Sequence, residues 1–203
     1  VDYRLAPEHP FPAAHADAVV ATAWAIHNAK ELGGDPIRVA VAGESAGANL
    51  ATSAALAMRD AGLRLAAQLL VVPGVNFARD IVRIERQRPH HPMLCAADLR
   101  DIGRLYLGAE LAHAKESPPS PRHATTFEGL PPTVIALAGH CPLLEEGADY
   151  AQRLIAAGVP TQVLQFDDMF HPFFGFFEAS ASAKRANDAI CAAFAACLRA
   201  AGA

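Results

Sequence analysis

Short, almost continuously apolar runs alternate along the chain with longer segments in which apolar residues recur at helical spacing. Runs without a polar face are typical of strands in a parallel sheet that helices cover on both sides. The alternation therefore predicts an α/β fold with a parallel sheet and crossover helices. The predicted strands span residues 38–42, 66–72, 133–138 and 161–166.

The helical segments are recognised by their periodicity and by the glycines that follow two of them. Gly33 and Gly34 follow the first segment and Gly158 follows the fourth, at positions where helices commonly end. The predicted helices span residues 13–32, 46–60, 98–107, 147–157 and 181–200.

The stretch between Pro73 and Pro132 is less regular and is rich in Pro, His and Arg. Long irregular segments after strands often shape pockets, so we expect pocket residues from 73–92 and from the Phe-rich residues 170–177.

The pattern of residues 1–5 is typical of the end of a strand. We therefore interpret residues 1–203 as a single partial domain, the C-terminal two-thirds of a larger one that includes N-terminal strands and a cap.

Composition narrows the classes of function. The apolar share of 52% is sufficient for a large core, and the net charge of −4 comes without any Lys/Arg block. We expect no nucleic-acid partner and, because no apolar run is long enough to span a membrane, no integral membrane segment.

The four cysteines (Cys95, Cys141, Cys191 and Cys197) lack metal-ligand spacing, which favours reduced thiols in a cytoplasmic protein. Association into a homo-oligomer stays open.

A serine lies between the first predicted strand and the second predicted helix. Residues 43–47 read Gly-Glu-Ser-Ala-Gly, a G-x-S-x-G in strand–turn–helix context. A sharp turn there projects the Ser45 hydroxyl above the sheet, and the Ala46 amide at the helix start is free to donate to an oxyanion. We expect that Gly43 and Gly47 are required because side chains there would collide with the turn and the neighbouring strand.

These residues and several other segments resemble the bacterial hormone-sensitive-lipase-like esterases of the α/β-hydrolase fold. The matching segments occur in the family's order and run through almost the whole chain. They are Asp-Tyr-Arg-Leu-Ala-Pro-Glu at residues 2–8, Phe-Pro-Ala-Ala at 11–14, Leu-Gly-Gly-Asp-Pro at 32–36, the serine motif at 43–47, Leu-Pro-Pro at 130–132, Gly-Val-Pro at 158–160, and Met-Phe-His at 169–171 followed by Phe173.

The resemblance implies a serine hydrolase that cleaves small carboxylic esters with short or medium acyl chains and uses no cofactor or metal. Ser45 falls on the nucleophile and His171 on the general base. A structural alternative for His171 is a packed member of an aromatic cluster, because Phe170, Phe173 and Phe174 surround it. His9, His15 and His27 lie near or on the first predicted helix. We predict that the adjacent His90 and His91 lie in a loop and are solvated or at a pocket rim, since two histidines alone do not make a metal site.

The acid of the triad is the first departure from the family. An aspartate is expected after the strand at 133–138, but Cys141 occupies that place. A neutral thiol cannot hold an imidazolium as a carboxylate does, and loss of the acid typically costs about 10⁴-fold in kcat. Two alternatives stay open. One is a substitute carboxylate from Glu145, Glu146, Asp167 or Asp168, and the other is a thiolate–imidazolium pair formed by Cys141 itself.

The family's His-Gly-Gly oxyanion loop is the second departure, since it does not occur in these 203 residues. Ala46 can supply one donor without the loop's partners, and one lost donor costs about 10²–10³-fold in kcat. The third departure is that Asp168 and Pro172 replace glycines around His171, which we expect to restrict that segment.

Two functional hypotheses remain: a carboxylesterase that uses Ser45 and His171, and a catalytically impaired descendant. Dinucleotide binding is disfavoured, because Gly43 and Gly47 have the wrong spacing for G-x-G-x-x-G. We also expect the strand before Ser45 to form an exposed sheet edge, which would make the isolated segment poorly soluble or weakly folded.

Overall fold

Four parallel strands form the centre of the molecule. The computed structural model describes residues 1–87 and 91–201. Within them the strands stand in chain order, each hydrogen-bonded to the next. They are β1 (Val41–Glu44), β2 (Gln68–Val71), β3 (Thr133–His140) and β4 (Thr161–Phe170).

Six α-helices in the described part connect and cover these strands: α1 (Ala13–Asn28), α2 (Ala46–Asp60), α3 (Ile81–Gln87), α4 (Ala96–Leu107), α5 (Leu144–Ala156) and α6 (Ala181–Ala201). Four short 3₁₀ helices span Pro36–Arg38, Gly108–His113, Pro121–His123 and Phe174–Phe176. None of the described helices is long and apolar enough to cross a membrane.

Side chains that alternate along the strands enter two separate cores. Leu70 and Ile135 pack in one core with residues of α1, α2 and α5. Val71 and Ala136, the next residues along the same strands, pack in the other core with residues of α4 and α6. The predicted parallel sheet with helices on both faces is therefore confirmed.

Several predicted boundaries are wrong, and local interactions explain two of them. Strand β1 begins only at Val41, because Pro36–Arg38 forms a 3₁₀ turn in which the Asp35 side chain accepts a hydrogen bond from the Ile37 amide. Strand β4 continues to Phe170 beyond a register shift opposite Ala138–His140. As an edge strand with much of its surface in water, it accommodates two acidic residues that a buried strand would not.

The helices show smaller differences. The first ends at Asn28, four residues before its predicted end, while α4 and α5 begin earlier than predicted. Helix α3 was not predicted, and no strand is formed by residues 1–5. Helix α2 has the predicted bounds.

The predicted edge position of the strand before Ser45 is confirmed, because β1 pairs with β2 alone among the described residues. The single partial domain and the poor solubility of the isolated segment stay predictions.

Candidate active site

Ser45 occupies a strained turn between β1 and α2. Its backbone has φ 57° and ψ −113°, a combination that non-glycine residues adopt only where the surroundings enforce it. The Ser45 amide donates to the Val71 carbonyl at 2.9 Å, and its own carbonyl accepts from the Asn49 amide at 3.2 Å. The turn is thus held by the adjacent strand on one side and by the first turn of α2 on the other, as predicted for a nucleophile elbow.

The two motif glycines have different roles. A Cβ on Gly43 would lie 2.2 Å from the carbonyl carbon of Gly47, so this position requires glycine. A Cβ on Gly47 would meet nothing within 4 Å, and the expected collision at this second glycine is wrong. Gly47 instead faces an open cavity beside β1, where no strand of the described chain lies.

His171 directly follows the end of β4, and its Nε2 lies 2.8 Å from the Ser45 Oγ. The segment after it is held from two sides. Phe173 is fully buried in the core that includes α6, and the Phe174 amide donates to a Glu44 carboxylate oxygen at 3.1 Å. The His171 ring thus reaches Ser45, which favours the general-base interpretation over a purely structural histidine.

The expected restriction by Asp168 and Pro172 does not prevent this approach. Asp168 lies within β4, and Pro172 follows His171 directly. Both replacements are compatible with the 2.8 Å contact between His171 and Ser45.

Cys141 lies on the far side of the imidazole ring. It follows β3, is only 3% exposed, and places its Sγ 3.2 Å from the His171 Nδ1. The Leu143 amide donates to the same sulfur at 3.3 Å. The side chain thus occupies the position from which a carboxylate would hold the histidine in a catalytic triad.

Burial controls the protonation of both groups. It raises the pKa of the Cys141 thiol to about 12 and lowers the pKa of His171 to about 4, with the Arg79 charge contributing to the second shift. Each shift favours the neutral form, because removing a group from water disfavours its charged state. Both shifts therefore disfavour the alternative of a thiolate–imidazolium pair.

The four candidate substitute carboxylates face other partners or the solvent. Glu145 forms an exposed pair with Arg83, and Glu146 is paired with Arg79. Asp167 accepts a hydrogen bond from Gln165, and Asp168 is exposed. Within residues 1–87 and 91–201 no carboxylate is hydrogen-bonded to His171, so the alternative of a substitute acid is wrong.

A cavity of about 290 Å³ opens beside Ser45 and Ala46. As predicted, the irregular stretch after β2 contributes to its lining, but residues 170–177 do not. Phe170 instead packs against Phe176, and Phe173 is buried in the core against Phe166. Most of the wall comes from the N-terminal segment, the segment after β2 and α4, and includes Tyr3, Leu5, Phe77, Leu94, Leu99, Ile102, Leu105, Tyr106 and Leu143.

A buried ion pair next to this cavity was not predicted from the sequence. The Arg79 guanidinium donates to both carboxylate oxygens of Glu146 at 2.8 and 3.0 Å, and the side chains are 6% and 9% exposed. Glu146 also accepts from the Val75 amide at 2.8 Å. This carboxylate therefore fixes the segment that carries Phe77 into the cavity wall. No local pattern signals a contact between residues 67 positions apart.

Among the described residues, no histidine other than His171 is hydrogen-bonded to Ser45. His27 contacts the Ala23 carbonyl on its own helix, His15 is half-buried on α1, and His91 approaches the His140 carbonyl at 3.3 Å. His90 lies outside the described residues. In the part of the chain that the structure describes, no three His, Cys, Asp or Glu side chains are grouped to hold a metal ion.

Comparisons with known proteins agree with this geometry. A family model described as the alpha/beta hydrolase fold matches residues 1–175. Esterase LipI of Mycobacterium tuberculosis is 37% identical over 177 residues, which cover 87% of this chain and 55% of the relative. Carboxylesterase NlhH of the same species is 39% identical over 184 residues, with 87% and 56% covered.

A solved structure is also similar. The thermostable carboxylesterase EstE1, cloned from a metagenomic library, superposes with a TM-score of 0.89 at 35% identity, covering 98% of this chain and 68% of that one. This chain spans little more than half the length of the two curated relatives.

Proposed function

This chain belongs to the α/β-hydrolase-fold family, in its hormone-sensitive-lipase-like branch, and from that premise we propose that it hydrolyses carboxylic esters through an acyl-enzyme on Ser45. The predicted family and fold are confirmed, and the relatives described above are named as esterases. The substrate is a small ester with a short or medium acyl chain, and no cofactor takes part. A cytoplasmic location and association into a homo-oligomer stay predictions.

One observation carries this proposal. The Ser45 Oγ, projected by a strained elbow, lies 2.8 Å from the Nε2 of a histidine 126 positions later in the chain. A nucleophile within hydrogen-bond reach of a base is the arrangement that acyl transfer requires.

The positions of Ser45, His171 and the Ala46 amide define the steps of ester hydrolysis. As Ser45 attacks the ester carbonyl, its proton passes to Nε2 of His171, and the carbonyl oxygen becomes negatively charged. The Ala46 amide, in the first turn of α2, has no partner within the helix and donates to this oxygen. His171 then gives the proton to the departing alcohol. In the second half His171 takes a proton from the water that attacks the acyl-enzyme and returns it to the Ser45 oxygen as the carboxylic acid leaves.

The cavity beside Ser45 supports the choice of substrate class. Aliphatic and aromatic side chains provide most of its wall, and its volume of about 290 Å³ suits a small apolar acyl or alcohol group. Arg79 and Arg4 are the charged residues in its lining, and each is paired with a carboxylate.

The second candidate function is a catalytically impaired hydrolase, favoured by the buried thiol at Nδ1 of His171. An uncharged Cys141 does not stabilise the imidazolium that forms when Ser45 is deprotonated. The geometry of the triad is kept, but the electrostatic contribution of the acid is missing.

Hydrolysis of p-nitrophenyl acetate and butyrate by the 203-residue chain tests the leading proposal. We expect release of p-nitrophenol above the buffer rate, and loss of this excess in Ser45→Ala and His171→Gln. Ser117→Ala changes an exposed serine that does not line the cavity beside Ser45 and is the matched control, with an unchanged rate. A Ser45→Ala rate equal to that of the unmodified chain would remove Ser45 from the mechanism.

A further inference from the structure

The hydrogen bonds of Cys141 determine which nitrogen of His171 carries the ring proton. In the described residues the sulfur has two polar contacts, the Leu143 amide at 3.3 Å and the His171 Nδ1 at 3.2 Å. The amide is a donor only, so it occupies a lone pair of the sulfur. Among residues 1–87 and 91–201, the acceptor that the thiol hydrogen contacts is Nδ1.

The chemistry of the pair favours the same direction. Thiol sulfur is a weak acceptor, whereas an unprotonated imidazole nitrogen is a good one. A buried thiol keeps its hydrogen and gains from donating it. With S–H donated to Nδ1, the neutral ring must carry its own proton on Nε2.

We propose that Cys141 is a positioning residue that donates its S–H to Nδ1 of His171 and holds the ring in the tautomer protonated on Nε2. This inference deepens the proposed function, because that tautomer points an N–H at Ser45. An N–H at Nε2 cannot accept the serine proton, so attack on an ester must wait for the ring proton to move to Nδ1.

This effect of Cys141 on the His171 tautomer is separate from the loss of the negative charge that a carboxylate would supply. In a serine protease triad, an amide in place of the acid keeps the geometry but imposes the wrong histidine tautomer and costs about 10⁴-fold in kcat. Cys141 acts on His171 in the same manner, through a donor where the reaction needs an acceptor. An aspartate at position 141 would accept an N–H from Nδ1 and leave the lone pair of Nε2 free for the serine proton.

Nuclear magnetic resonance of the ¹⁵N-histidine-labelled chain tests the inference, because the shifts of the two ring nitrogens report which one is protonated. The His171 signals are identified by their loss in His171→Gln. We expect the proton on Nε2 in the unmodified chain, a mixture of tautomers in Cys141→Ala, and the proton on Nδ1 in Cys141→Asp. A proton on Nδ1 in the unmodified chain, or unchanged shifts in Cys141→Ala, would overturn the inference.

This experiment separates the inference from the proposed function. The tautomer is read from the spectrum without any substrate. If His171 carries the proton on Nε2 as expected but neither the unmodified chain nor Cys141→Asp hydrolyses an ester, the tautomer assignment holds and the proposed function fails. Hydrolysis by an unmodified chain whose His171 is protonated on Nδ1 supports the function and overturns the role of Cys141.

Discussion

The Sγ of Cys141 lies 3.2 Å from Nδ1 of His171, while the Oγ of Ser45 lies 2.8 Å from Nε2 of the same ring. The three side chains thus form the linear arrangement of a hydrolase triad, with a thiol at the end where the family has a carboxylate. The serine–histidine contact and the strained elbow are intact. Among these three side chains, the buried thiol of Cys141 is the one that departs from a triad.

Cys141→Asp is expected to increase ester hydrolysis. A carboxylate at this position would stabilise the imidazolium and accept a hydrogen bond from Nδ1–H, so kcat for p-nitrophenyl butyrate should rise by up to about 10⁴-fold. Cys191→Asp is the matched control, since Cys191 is an exposed thiol on α6, and should leave kcat unchanged. If kcat does not rise in a folded Cys141→Asp chain, the missing acid is not what limits the reaction.

The stability of the chain should depend on pH through His171. Burial, assisted by the charge of Arg79, lowers its pKa from 6.5 to about 4 in the native state. Between these pH values the unfolded chain binds more protons at this residue than the native chain does. The free energy of unfolding therefore rises with pH across this window, by about 3 kcal/mol for this group.

Urea unfolding at pH 4.5, 5.5 and 6.5, values chosen at roughly even spacing across that window, measures this dependence. The slope should be smaller in His171→Gln, whereas His27→Gln removes an exposed histidine and should keep it. His15 also has a lowered pKa through burial, but it contributes equally to each of these chains. Equal slopes in the unmodified chain and His171→Gln would contradict the assigned shift.

Glu146→Gln should destabilise the fold far more than the same change at the neighbouring Glu145. Glu146 lies in a buried pair with Arg79, and removing one partner of such a pair typically costs about 3–5 kcal/mol because the other charge stays buried. The pair of Glu145 with Arg83 is exposed, so Glu145→Gln should cost about 0–1 kcal/mol. Urea unfolding of both variants measures the difference, and equal costs would contradict the buried role of Glu146.

The sequence predicts the parts of this molecule that local chemistry determines. Helix α2 and the turn at Ser45 have the predicted positions, because an apolar run, a glycine-flanked serine and a helical repeat follow one another without a gap. Placement of His171 beside the serine and of Cys141 beside His171 followed from the resemblance to a family. The order of the motifs along the chain assigned positions to His171 and Cys141, whereas the residues alone left open whether His171 is catalytic or structural.

Contacts between distant segments were not predictable from these patterns. The pair of Arg79 with Glu146 and the wall formed by α4 depend on which segments meet in space. Strand β4 was predicted too short because Asp167 and Asp168 look like the start of a loop, although an edge strand exposes such side chains to water. The space around Gly47, where a Cβ atom would meet nothing within 4 Å, likewise depends on what lies beside β1. The five-residue motif carries no information on that neighbour.

Covalent labelling with a fluorophosphonate tests the central claim most directly, since the reagent phosphonylates a serine that an adjacent base activates. Peptide mass spectrometry of the labelled chain and of Cys141→Asp is expected to find one adduct, on Ser45, formed much faster in the variant. Absence of the adduct from both folded chains, or equal labelling after Ser45→Ala, would contradict the assignment of Ser45 as the nucleophile.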